Sequence, residues 1–195
     1  MNGLSKYYLK KIIQCFSSEH TATETSKKLK VNRNTVNKYY RMIREAVVDY
    51  QEVRLKYNVP KAKLDEGKNY FSWHTNKGLI FSFKEGDPIY FVVAQNDRIY
   101  VGVEEDETIL QDLLTEKREE LVQPSPKKGL DLEERFFVYA KEQLAKFYGV
   151  RSQYIYMYLK ELEFRFNNKD KDLAQLIWKI LPHHSTTWLK VRSRR

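Results

Sequence analysis

Cysteine occurs once in the 195 residues, at Cys15. A single thiol excludes an intramolecular disulfide and a cysteine-based zinc site. Long apolar runs are missing too: none approaches the roughly 20 residues of a membrane-spanning helix, and the N-terminus lacks an uninterrupted signal-peptide core. The expectation is a cytoplasmic chain with no membrane partner. Acidic residues are scarce at one end only. Residues 1–63 hold 14 Lys+Arg and 5 Asp+Glu, whereas residues 64–195 hold 21 of each, so the whole net charge of +9 sits on the first third. That distribution suits a polyanionic partner. What is plentiful is core material. A hydrophobic content of 42%, with 14 Tyr and 10 Phe, is enough for one compact domain and a small accessory one.

The basic third contains the stretch TATETSKKLKVNRNTVNKYYRMIREAVV, Thr21 to Val48. Its spacing predicts a short polar helix over Thr23–Leu29, a turn Lys30-Val31-Asn32, and a second helix capped by the Asn32 side chain. Val36, Tyr40, Ile43 and Val47 recur at helical spacing as one apolar stripe, with Leu29 and Val31 beneath it. The opposite face carries Asn34, Lys38, Arg41 and Glu45, with Asn37 on its flank. This is the pattern of a DNA-binding helix-turn-helix, whose second helix enters the major groove N-terminus first. Amide side chains pair with adenine, and Arg or Lys with guanine or phosphate. Arg33, Asn34, Thr35, Asn37, Lys38 and Arg41 are therefore the candidate readout residues for double-stranded DNA. Ahead of them, Leu4, Tyr8, Ile12 and Phe16 mark a supporting helix over 4–16.

The rest of the chain changes character. Residues 56–67, with Pro60 and mixed charge, read as a linker. NYFSW, LIFSF, IYFVVAQ and RIYVGV are short, rich in β-branched and aromatic residues, and separated by turn signals, which predicts a four-stranded antiparallel meander. A helix over 108–121 follows, then breakers at Pro124, Pro126 and Gly129. Helices over about 131–147, 152–167 and 171–181 complete the body, with Phe136, Ala140, Leu144 and Phe147 on one stripe and Ile155, Leu159, Leu162 and Phe166 on another. The resulting fold class is α+β. The segments are a three-helix domain at 1–55, the linker 56–67, a body at 68–182 and a basic tail at 183–195. His183 and His184 have no carboxylate in register and form no site.

Glu134 to Asn168, ERFFVYAKEQLAKFYGVRSQYIYMYLKELEFRFNN, resembles the C-terminal part of bacterial insertion-sequence transposases of the Merlin-like DDE group. Phe136, Ala140, Lys141, Leu144, Ala145, Lys146, Phe147 and Gly149 match the first half of the pattern. Leu159, Lys160, Glu161, Glu163, Phe164, Arg165, Phe166 and Asn167 match the second. PIYFVVAQNDRIYVGV resembles two strands of the same enzymes. The resemblance implies an RNase H-like catalytic body behind a helix-turn-helix, and DNA cutting and joining by in-line displacement at phosphorus. Such chemistry needs carboxylates that hold two divalent ions, for which Mg²⁺ is suited.

The resemblance puts the third catalytic position on Glu134. The first falls on Asp65-Glu66 when the acidic pair is aligned, or on Gly67-Lys68 when Tyr70-Phe71 is aligned. Asp65 and Glu134 are thus the candidate catalytic and metal-binding residues. The middle carboxylate and its strand have no counterpart, because only about ten residues separate the helix ending near Leu121 from that starting near Asp131. Asp97, Asp106 and Asp112 fall in a turn, a strand exit and a helix, where surface acids are common. The leading expectation is a transposase-derived, catalytically degenerate DNA-binding protein with a reduced RNase H-like body. An active transposase using Mg²⁺ is one alternative. A regulator or architectural subunit, as a homodimer or in a larger nucleoprotein assembly, is another.

Overall fold

Helical periodicity gives way to extended periodicity near Lys68, and a computed structural model follows that change. The structure describes residues 5–74, 78–81, 83–115, 131–145 and 152–181. In chain order their elements are α1 (Lys6–Ser17), α2 (Ala22–Leu29), α3 (Arg33–Asn58), α4 (Lys61–Glu66), β1 (Asn69–His74), β2 (Gly78–Ile80), β3 (Tyr90–Gln95), β4 (Arg98–Val103), α5 (Glu107–Thr115), α6 (Leu132–Leu144), α7 (Ile155–Asn167) and α8 (Leu173–Ile180). The architecture is α+β, helices with one open antiparallel sheet. Two units are distinguishable: residues 1–50 with 168–195, and residues 51–167.

In the first unit, α1 buries Leu9, Ile12, Ile13, Cys15 and Phe16. The stripe expected through Leu4, Tyr8, Ile12 and Phe16 needs correction: Tyr8 is exposed and Leu4 lies outside the described residues. Leu9, Ile12, Ile13 and Phe16 make the wider apolar arc, so that arc turns inward. A capping box starts α2. Thr21 donates its N–H to Glu24 Oε2 at 2.7 Å, and the Glu24 N–H donates to Thr21 Oγ1 at 3.2 Å. Lys30, in the left-handed region at φ 53°, ends α2. Far along the chain, α8 returns to pack on α1.

In the second unit the four expected strands all form, but not as a simple meander. The order is β2-β1-β3-β4. LIFSF supplies only Leu79 and Ile80 to the three-residue β2, which pairs with Ser72–His74, and the chain then places β3 against the other side of β1, along Asn69–Phe71. Asn96 and Asp97, at φ 51° and 55°, join β3 to β4 in a two-residue turn. Positive φ at both central residues matches the twist of the strands.

Both faces of this sheet are covered, which explains why its strands read as continuous apolar runs. Phe71, Tyr90, Val92, Ile99 and Val101 pack on Phe136, Ala140 and Leu144 of α6 and on Ile155, Leu159 and Leu162 of α7. Phe91, Val93 and Tyr100 point to the other side, against Val59 and the partly buried Leu55 and Leu64. Gly102 is required there, since a Cβ on it would sit 2.1 Å from the Phe91 ring. Helices α4 and the end of α3 fall inside the segment 56–67 that reads as linker. Val59, between the two helices, and Leu64 of α4 give this segment a sheet face to cover. Leu121, Lys146, Phe147, Gly149, His183 and His184 lie outside the described residues. So does the whole of 116–130, the interval where the resembling enzymes place further elements.

Candidate functional site

Three residues, Lys30-Val31-Asn32, separate α2 from α3. Asn32 Oδ1 accepts the N–H of Asn34 at 2.8 Å, satisfying one of the orphan donors of the first turn. Ser26 Oγ donates to the Val31 carbonyl at 2.7 Å, which ties the turn back to α2. Beneath it Tyr40 joins all three helices. Its OH donates to the His20 carbonyl at 2.9 Å, lies 2.7 Å from Thr25 Oγ1, and its ring meets Phe16 edge-on at 5.1 Å. Val36, Ile43 and Val47 have no exposed surface and Tyr40 only 4%. These contacts set the rotation of α3 about its axis.

That rotation decides what the solvent sees. Arg33, Asn34, Asn37, Lys38 and Arg41 are exposed along the first turns of α3, and Thr35 is half-buried. Arg41 donates Nε to Glu45 Oε1 at 2.8 Å, an exposed i,i+4 pair. Exposed pairs of this kind contribute well under 1 kcal/mol, so phosphate can compete for the guanidinium. The residues of the first unit, over its whole length, include 17 Lys+Arg and 6 Asp+Glu, against 18 and 20 in the second. The surface that presents amides and cations therefore belongs to the strongly positive unit.

The candidate catalytic residues are placed differently. Glu134, half-buried at the third position of α6, caps its own helix: its Oε2 accepts the Asp131 N–H at 3.1 Å, while its N–H donates to Asp131 Oδ1 at 2.8 Å. Asp65 belongs to α4, not to β1, and its side chain lies outside the described residues. In the alternative alignment the first position falls on Gly67-Lys68, which offers no carboxylate, and Lys68 there holds Glu104 Oε2 at 2.5 Å. Burial works against charge on Glu104. The Lys68 ammonium, the Asp106 N–H and the Tyr70 hydroxyl overcome it and hold its pKa below the ordinary carboxylate value. Asp97 sits in the hairpin turn, and Asp106 accepts from Thr108 N at 2.9 Å to start α5. Among the described residues, no three His, Cys, Asp or Glu side chains converge as a metal site. The donors described do not fit a two-ion centre.

The motif Leu159–Asn167 has another use. Lys160, Glu163 and Asn167 lie on one side of α7 and reach the outer edge of β4. Asn167 takes both polar groups of Ile99, accepting its N–H at 2.8 Å and donating to its carbonyl at 2.6 Å. Glu163 Oε2 accepts the Val101 N–H at 3.3 Å, and the Lys160 ammonium donates to the Val101 carbonyl. Four helical residues rise about 6 Å and two strand residues about 6.8 Å, so helix and strand stay in register. An edge strand that would otherwise offer unpaired groups is closed. Glu133 satisfies β3 where it runs past the end of β1, accepting the Ala94 N–H at 2.8 Å.

Lys160 also meets Glu163 at 3.1 Å and Glu52 at 3.3 Å, and the Tyr156 hydroxyl donates to Glu52. Burial raises Glu163 to about 7 despite the lysine. It also raises Tyr156, helped by Glu52, and takes Tyr90, stacked on Tyr156 at 6.1 Å, to about 12. The polar i, i+3, i+7 spacing on an apolar helix was the available signal for this clamp.

No family model, curated protein or solved structure matches the chain. Among the described residues, no helix is long and apolar enough to cross a membrane.

Proposed function

We propose that this chain is a DNA-binding protein derived from a transposase, with a helix-turn-helix at Thr21–Val48 that reads duplex DNA and a reduced RNase H-like body that no longer cuts it. One observation carries the reading. Arg33, Asn34, Asn37, Lys38 and Arg41 face solvent from the first turns of α3, while the alternate positions Val36, Tyr40 and Ile43 are buried. A helix rotated in this way offers base-reading amides and phosphate-holding cations together. Fluorescence anisotropy on duplex libraries tests it. Asn34→Ala and Asn37→Ala relax base preference by about 1–3 kcal/mol at the affected position. Lys38→Gln lowers the salt slope of binding by about 0.9 if it holds a phosphate. A wild-type chain indifferent to duplex DNA at low salt ends the proposal.

Loss of catalysis is supported from the other unit. Glu134 is engaged in a helix cap, and Asp65 sits on a helix instead of the strand the motif requires. Strand β1 already has partners on both sides, β3 along its first half and β2 along its second. A further strand finds no open length of β1 at Ser72–His74 on the β2 side. A nicking and strand-transfer assay with Mg²⁺ or Mn²⁺ decides the point. Metal-dependent cutting that Glu134→Gln abolishes would establish an active transposase instead.

A further inference from the structure

The face formed by α1 and α8 carries charge that α3 does not use. Neither KYYLKKIIQCFS nor LAQLIWKI contains an acidic residue, and together they hold Lys6, Lys10, Lys11 and Lys179. The helices run antiparallel. Gln14 and Ser18 near the end of α1 line one depression with Leu173 and Ala174, while Lys6 and Lys10 near its start lie over Trp178.

Two ammonium groups thus share one indole ring, at 5.9 and 5.4 Å from its centroid. Lys11 lies 5.9 Å from the ring of Tyr7, itself 64% exposed. Among the described residues none of these lysines has a carboxylate partner, and the first turn of α1 has no acid. Positive charge gathered at a helix N-terminus opposes the helix dipole. Like charges held together without counter-ions of their own mark a surface that an external polyanion would relieve.

We infer that the α1–α8 face is a second DNA contact, at which Lys6 and Lys10 hold backbone phosphates flanking the site read by α3. The inference rests on the DNA-binding reading above. A lipid surface fits less well, because the apolar arc of α1, Leu9, Ile12, Ile13 and Phe16, is buried within the protein and cannot enter a bilayer. Phosphate contacts of this kind fix position and add affinity without carrying sequence information.

The test is a salt titration of the full chain on duplex DNA, comparing wild type with Lys6→Gln/Lys10→Gln. Glutamine keeps a carbon stem over Trp178 while removing the charge. The expected result is a fall of about 1.8 in the slope of log K against log salt, with base preference unchanged. Lys6→Arg/Lys10→Arg keeps the wild-type slope and separates charge from packing. An unchanged slope in the glutamine variant overturns the inference, as does a loss confined to phosphatidylserine vesicles. The two readings fail separately. If Asn34→Ala and Asn37→Ala leave base preference intact while the lysine variant still lowers the slope, the α3 reading falls and the α1–α8 contact stands.

Discussion

Substituting Glu163→Gln should reverse one part of the pH dependence of stability. Glu163 has no exposed surface, and burial lifts its carboxyl from the ordinary carboxylate value to about 7. The folded chain therefore binds this proton more tightly than the unfolded chain does. Stability from this group is fully present below about pH 4.5 and declines as pH rises to about 7. A shift of this size corresponds to about 3 kcal/mol across that window. Glutamine cannot titrate, so the stability of the variant relative to wild type should rise by about that amount from pH 5 to pH 8. Losing the charge partner of Lys160 adds an offset that does not vary with the titration of residue 163. Titrations of groups remote from residue 163 cancel in the difference. Urea denaturation of both proteins at matched pH values measures it. A flat difference curve, or one that falls with pH, would refute the burial argument.

Three further outcomes follow from the same unit. Asn167→Ala strips Ile99 of both its edge partners and should cost about 1–3 kcal/mol, with faster hydrogen exchange at the Ile99 amide. Gly102→Ala forces a methyl into the Phe91 ring and should cost about 1–3 kcal/mol in a melt, recovered in part by adding Phe91→Leu. Glu104 has a lowered pKa, so its contribution is present above the unfolded value and is lost as pH falls through the folded value. Glu104→Gln should therefore flatten the acid limb of an unfolding profile and leave the neutral-to-alkaline limb unaltered in shape.

Much of this was legible because local chemistry is strong where the elements begin and end. Asn32 precedes its helix as a cap should, whereas the capping box of Thr21 and Glu24 emerged with the structure. Asn96-Asp97 between two β-branched runs admits only a tight hairpin. The buried positions Val36, Tyr40, Ile43 and Val47 followed from spacing alone. The motif around Glu134 was harder to read. Its residue types suit metal binding and helix capping equally, and only the cap geometry distinguishes them.

The sequence by itself determined every described helix except α4 in outline, the four strands, the position of the positive charge and the side of α3 that carries amides. These depend on periodicity and on neighbours within a few residues. Tertiary structure alone decided that β1 lies between β2 and β3, that α8 returns to α1, and that Lys160, Glu163 and Asn167 close the edge of β4. Those are pairings between residues tens of positions apart. Each is chosen by which unsatisfied backbone group or apolar face the folded chain brings within reach, and no local pattern records that choice.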